Sequence, residues 1–114
     1  MYNDSSNSGL VPFRMCSATV SFDQFTAGWT LARFEGTPEP KPRIFEQWID
    51  FATPFSNVPL VQPGLVGFDI DNRDTARLKV RAERITANGF MLVIETWCHT
   101  RVYGADVSWL AIGT

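Results

Sequence analysis

The sequence is short of the residues that usually carry chemistry. It contains one histidine, His99, and two cysteines, Cys16 and Cys98. Cysteines so far apart have no metal-ligand spacing, and they read either as two buried thiols or as one disulfide. Hydrolysis and group transfer usually need a nucleophile with a base, or paired acids, which leaves Cys98-His99 as the pair to weigh. Neighbours on an extended strand point to opposite faces, so this thiol and imidazole are not expected to hydrogen-bond each other, and the chain is expected not to be an enzyme. There is no surplus of positive charge: ten Lys and Arg stand against twelve Asp and Glu, for a net charge of −2. Nucleic-acid binders usually carry a basic surplus on one face, so a neutral partner is expected instead. No apolar run approaches the ~20 residues that span a bilayer, which argues against membrane insertion. The opening Met1 to Gly9 has neither a basic region nor an apolar core of the secretory type, so no signal peptide is visible, and free thiols are favoured.

What is present is core material. The 114 residues are 45% apolar and 19% charged, enough for one globular domain. No segment repeats apolar residues at helical spacing over three turns, whereas several alternate with period two, so the fold class is all-β. Candidate strands fall within Met15 to Phe22, Arg43 to Phe51, Leu60 to Ile70, Arg77 to Thr86, Phe90 to Trp97 and Ala105 to Ile112. The stretch Gly36-Thr37-Pro38-Glu39-Pro40-Lys41-Pro42 is a connection, because each proline removes a ladder donor. Leu60 to Ile70 is apolar on both faces and is expected to be buried on both. For Leu78, Val80 and Ala82 to share a face with Phe90, Leu92 and Ile94, Thr86 is placed opposite Phe90. Ala87-Asn88-Gly89 is then a three-residue loop with its glycine left-handed. That register sets Arg81 opposite Glu95, Lys79 opposite Trp97 and Arg77 opposite His99.

Two charged stretches have plain structural readings. Asp69-Ile70-Asp71-Asn72-Arg73-Asp74 suggests a calcium loop, but Asp74 stands where such a loop needs glycine and Val80 where it needs a bidentate glutamate. A turn rich in Asx-type bonds is expected there, with no metal and no other cofactor. The row Arg77, Lys79, Arg81 is diluted by Glu83 and Glu95 and reads as a solvated or interface face. The group Arg77, Trp97, His99 and Tyr103 is more suggestive. Sugar sites combine an aromatic ring, which packs on the C–H face of a pyranose, with forked donors for paired hydroxyls.

Several pieces occur in a telling order: Ile49-Asp50-Phe51-Ala52-Thr53-Pro54-Phe55, Pro59-Leu60-Val61, Gly67-Phe68-Asp69-Ile70-Asp71, Thr86-Ala87-Asn88-Gly89-Phe90, Thr96-Trp97-Cys98-His99-Thr100-Arg101-Val102-Tyr103 and Val107-Ser108-Trp109-Leu110-Ala111. Together they resemble the H-type lectin domain of snail agglutinins and of the C-terminal part of discoidins. Gly28-Trp29 extends the resemblance upstream to about residue 18. Residues 18–114 are accordingly read as the lectin-like domain and residues 1–17 as a flexible arm or an extra strand.

The resemblance implies a six-stranded antiparallel β-sandwich that closes into a three-fold homotrimer or a higher oligomer. Each interface would hold a shallow site for terminal galactose or N-acetylgalactosamine. Residue by residue, it gives Arg77 the sugar-binding arginine's role and places Trp97 and Tyr103 in the lining. The snail proteins' sugar-contacting histidine falls on Cys98, where discoidins tend to have alanine, so that contact is either lost or taken over by His99. Upstream, Pro40 stands at the family's aspartate and Pro38 at its glycine, while a shift of one would let Glu39 supply the carboxylate. The snail proteins' disulfide has no counterpart, since Ile94 occupies its second position. The implied function is glycan binding in an extracellular or cell-surface setting. A trimeric attachment module of the same fold without a sugar site is the alternative, favoured by the proline loop.

Overall fold

The computed structural model describes residues 13–33 and 42–114, and these contain six strands and no helix. The strands are β1 (Arg14–Asp23), β2 (Arg43–Asp50), β3 (Leu60–Ile70), β4 (Lys79–Glu83), β5 (Gly89–Thr96) and β6 (Val102–Gly113). They form two three-stranded antiparallel sheets, ordered β1-β6-β3 and β2-β5-β4. Alternation explains the layering, because residues two apart share a face and β-branched and aromatic side chains suit a half-buried pleat. The central strands carry most of the core. Phe90, Leu92 and Ile94 of β5 and Val107, Trp109 and Ala111 of β6 are buried. Their rings meet across the layers, with Phe90 and Trp109 centred 5.3 Å apart and Phe22 of β1 4.8 Å from Phe45 of β2. Burying each large side chain in this cluster stabilises the fold by about 1.5–3 kcal/mol relative to exposing it.

The β4–β5 hairpin corrects the expected register. Lys79 lies opposite Glu95, Arg81 opposite Val93 and Glu83 opposite Met91, a slip of two residues. A two-residue slip keeps every side chain on its face, so alternation alone cannot detect it. The connection is consequently longer than three residues and runs from Arg84 to Asn88. Its left-handed residue is Arg84, with φ of 50°, not Gly89. Tertiary docking sets this length: Asn88 and Ala87 carbonyls accept from Phe51 N and Phe55 N, both at 2.9 Å. Gly89 is needed for close approach, since a Cβ there would sit 2.2 Å from the Ile49 carbonyl oxygen. The two anticipated outer-face contacts exist, as diagonals. Arg81 Nη1 is 2.6 Å from Glu95 Oε1, and Lys79 Nζ lies 5.2 Å from the centre of the Trp97 ring.

β3 departs from the expected burial on both faces. Val61 is buried, but Leu60, Val66 and Phe68 are 67%, 62% and 60% exposed. As an edge strand β3 has one ladder partner, β6, and a bulge interrupts the pairing between Leu65 and Gly67. Its outer face continues across the sheet, because Leu60 and Met15 both pair with Ile112 from opposite sides. Cys16, packed against the core, and Cys98 are free thiols. Cys16 pairs with Ala111 in the ladder, whereas Cys98 follows the far end of β5.

Candidate functional site

The candidate residues gather at the end of the molecule where β5 leaves its sheet and β6 begins. β5 stops at Thr96 and β6 starts at Val102, with Cys98 and His99 in the turn between them. The strand argument for the Cys98-His99 pair therefore does not apply. Cys98 instead has φ of 57°, a left-handed conformation that costs a non-glycine residue about 1 kcal/mol or more.

Buried threonines brace the turn on one side. Thr96 Oγ1 donates to the Arg77 carbonyl at 2.5 Å, and Thr100 Oγ1 donates to the Thr75 carbonyl at 2.5 Å. Both threonines are fully buried, so these bonds satisfy hydroxyls that would otherwise be costly to desolvate. Arg77 precedes β4, and extending the observed register by two residues sets it opposite Trp97, not His99. Its Nη1 donates to Thr100 Oγ1 at 3.2 Å and to the Thr75 carbonyl at 3.3 Å. Among the described residues its Nε and Nη2 donate to none. Trp97 is half-buried on the same outer face as Lys79, and His99 is exposed.

Tyr103 belongs to a neighbouring cluster. Its hydroxyl donates to Asp71 Oδ2 at 2.8 Å. The Asx-type turn expected in this stretch is present: Arg73 N donates to Asp71 Oδ1 at 2.9 Å, and the Arg73 side chain grips both carboxylate oxygens. Hydrogen bonds from the Arg73 side chain, then its backbone, then Tyr103 hold the Asp71 carboxyl well below the usual carboxylate range. The Asp71 side chain raises the Arg73 guanidinium in turn. Asp74 pairs with Arg101 at 2.7 Å. The Tyr103 hydroxyl is thus committed to Asp71. Among the described residues no group of three or more His, Cys, Asp or Glu side chains could hold a metal ion. Glu39, with Pro38 and Pro40, lies outside the described residues.

Arg43 stands in no motif that would single it out in the sequence. It opens β2, and its Nη2 donates to the carbonyls of Cys98 at 2.8 Å and Thr100 at 2.6 Å, while Nη1 donates to those of Arg33 at 2.8 Å and Leu31 at 3.3 Å. Burial, followed by the nearby Arg101 charge, lowers its pKa from the ordinary value. Leu31 is fully buried, and its carbonyl also accepts from Val102 N at 2.7 Å. The indole N–H of Trp29 reaches the Val102 carbonyl at 2.8 Å. An arginine at the start of a strand reads as surface charge, and only its distant acceptors show otherwise.

The family model for the H-type lectin domain matches residues 46–112, more than half of the chain. The chain belongs to the H-type lectin domain family. The match spans β3 to β5 and most of β2 and β6, and it includes Arg77, Trp97 and Tyr103, while Arg43 lies outside it. Two structures of discoidin II from Dictyostelium discoideum share the fold. The recombinant protein superposes with a TM-score of 0.73 at 25% identity, covering 88% of this chain and 36% of discoidin II. The wild-type protein gives 0.74 at 24% identity, covering 90% and 37%. A protein of Fuscovulum blasticum described as ATP synthase subunits region ORF 7 is 38% identical over 73 residues, which is 64% of each chain. This lectin domain thus spans less than two thirds of that relative and just over a third of discoidin II.

Proposed function

We propose that this domain binds glycans ending in galactose or N-acetylgalactosamine, through shallow sites at the interfaces of a homotrimer. One observation carries the reading: a half-buried guanidinium, Arg77, is held by one nitrogen and keeps its other donors for a ligand, beside an indole on the same sheet face. A fork of parallel N–H groups suits vicinal hydroxyls, and an indole suits the apolar face of a pyranose. Trp97 supplies that ring. The Tyr103 ring extends the lining, held by Asp71. His99 is the exposed donor on the rim, and Cys98 shapes the turn that presents it. Glu39 is the candidate carboxylate for an axial hydroxyl.

The trimer is supported by the uncovered face of β1-β6-β3. Met15 and Leu60, 62% and 67% exposed, flank Ile112 in one row, and Val66 adds to the same apolar surface. Monomeric proteins rarely leave such a row open, and three-fold closure buries it without open-ended association. Multivalency would then raise the avidity of sites that are individually weak. The attachment-module reading, favoured in the sequence by the proline loop, gains one structural observation: Lys79 already lies over the Trp97 ring.

A glycan array on the purified chain, paired with light scattering, separates the readings. Binding to terminal galactosides by a species about three times the 12.8 kDa protomer is the expected result. A trimer that bound no glycan would favour the attachment module, and a monomer at micromolar concentration would remove the interface site altogether.

A further inference from the structure

We propose that Arg43 is a positioning residue of the binding site, clamping the Leu31–Arg33 segment onto the Cys98–Thr100 turn so that the turn presents Trp97 and Arg77. The proposal rests on the lectin reading for its ligand. Its geometry is independent of that reading. The guanidinium divides its two terminal amino groups between two segments: Nη1 serves the carbonyls of Leu31 and Arg33, and Nη2 those of Cys98 and Thr100. These acceptors are 10 to 57 residues away in sequence, so no local turn would bring them together.

The turn needs such a clamp. Cys98 is in a left-handed conformation without being glycine, which persists only where the surroundings enforce it, and Arg43 holds that residue's own carbonyl. On the opposite side the turn is held by the Thr96 and Thr100 hydroxyls, which reach Arg77 and Thr75. Arg43 and the two threonines therefore grip the same few residues from two directions. Thr100 joins the two grips, because its carbonyl accepts from Arg43 and its hydroxyl accepts from Arg77. Removing Arg43 would free the turn to relax away from φ of 57° and would shift the contact on which Arg77 depends. A lysine carries the charge but is a single point donor, and it cannot serve two segments through separate planar amino groups.

The test uses the full chain with Arg43→Met and Arg43→Lys. Three measurements are made: calorimetric titration with N-acetylgalactosamine, thermal melting, and hydrogen exchange resolved by segment. Expected for Arg43→Met is affinity lower by about tenfold or more. Exchange should speed up together in the Leu31–Arg33 and Cys98–Thr100 segments, with Phe90–Ile94 and Val107–Ala111 still protected. Arg43→Lys should restore the melting temperature yet leave affinity reduced by about threefold or more. If Arg43→Met fails to fold, Arg43→Lys alone decides, by the same readouts. Affinity within twofold of wild type in Arg43→Lys, or faster exchange in only one of the two segments, would overturn the proposal. Exchange rising uniformly through both sheets would also overturn it, since that is the mark of a merely structural arginine. If the wild-type chain binds no galactoside, the lectin reading fails, and the exchange pattern alone upholds or overturns the clamp.

Discussion

The two ends of this domain are closed by different means. At the end where β5 begins, packed rings and close backbone approaches dominate, with one arginine added. Phe51 packs edge-on against Phe55 at 5.1 Å and also touches Phe90 and Trp109, while Gly89 lets the chain approach the Ile49 carbonyl, which a Cβ would strike. Arg14 joins this end by lying 4.2 Å over the Phe55 ring and donating to the Thr53 and Pro54 carbonyls. At the end where β5 stops, closure is by hydrogen bonds from arginine and threonine side chains to backbone carbonyls, around a turn with a strained cysteine. A packed end tolerates almost no change of volume. A hydrogen-bonded end leaves donors over, and spare donors are what a polar ligand requires. On the proposed reading, stability belongs to the first end and glycan binding to the second.

The most forceful way to break that division is at the packed end. Gly89→Ala drives a methyl into the Ile49 carbonyl and should cost about 2–3 kcal/mol, since the obstacle is backbone and cannot swing aside. Chemical denaturation should show the loss, and calorimetry on the folded fraction should show unchanged sugar affinity. A matching loss of affinity would mean that the two ends are coupled.

The converse change is at Arg77. Arg77→Ala should weaken galactoside binding by about 1.5–3 kcal/mol through the loss of charge-assisted bonds, while the domain stays folded. Arg77→Lys is sharper, because it keeps the charge without the fork. If calorimetry found both variants equal to wild type, the site would lie elsewhere.

A smaller effect tests the strained turn. At φ of 57°, Cys98→Asn should leave the melting temperature nearly unchanged, whereas the β-branched Cys98→Val should cost about 1–2 kcal/mol. Equal melting temperatures for the two variants would show that the turn relaxes freely.

The smallest effect is a matter of pH. Because Asp71 has a depressed pKa in the folded protein, its contribution to stability is present above the unfolded carboxylate value of about 3.9. That contribution is lost as pH falls from there through the folded value. Asp71→Asn should therefore flatten the acid limb of melting temperature against pH below about pH 4 and leave the neutral range almost unaltered. An acid limb identical to wild type would show that Asp71 holds Tyr103 without contributing to acid sensitivity.

How far the molecule is legible in its sequence follows the same division. Alternation located the six strands, and on β6 it separated Val107, Trp109 and Ala111, which are buried, from Ser108, Leu110 and Ile112, which are not. It also anticipated that Arg81 meets Glu95 and that Lys79 meets Trp97, although the register was two residues out. Period-two patterning is blind to an even slip, and the slip was decided by Asn88 and Ala87 docking on Phe51 and Phe55, which no local pattern encodes. The second apolar face of β3 leads to an expectation of burial on both sides, because alternation shows that a face is apolar and not whether anything covers it.

Facing, strand number and an all-β class thus came from the amino-acid order itself, since they depend only on which neighbours along the chain are apolar. The hairpin register, the left-handed Arg84 and Cys98, and the grip of Arg43 on two distant segments were decided by tertiary structure. Each depends on a backbone carbonyl delivered from elsewhere in the chain, and every residue type carries the same carbonyl.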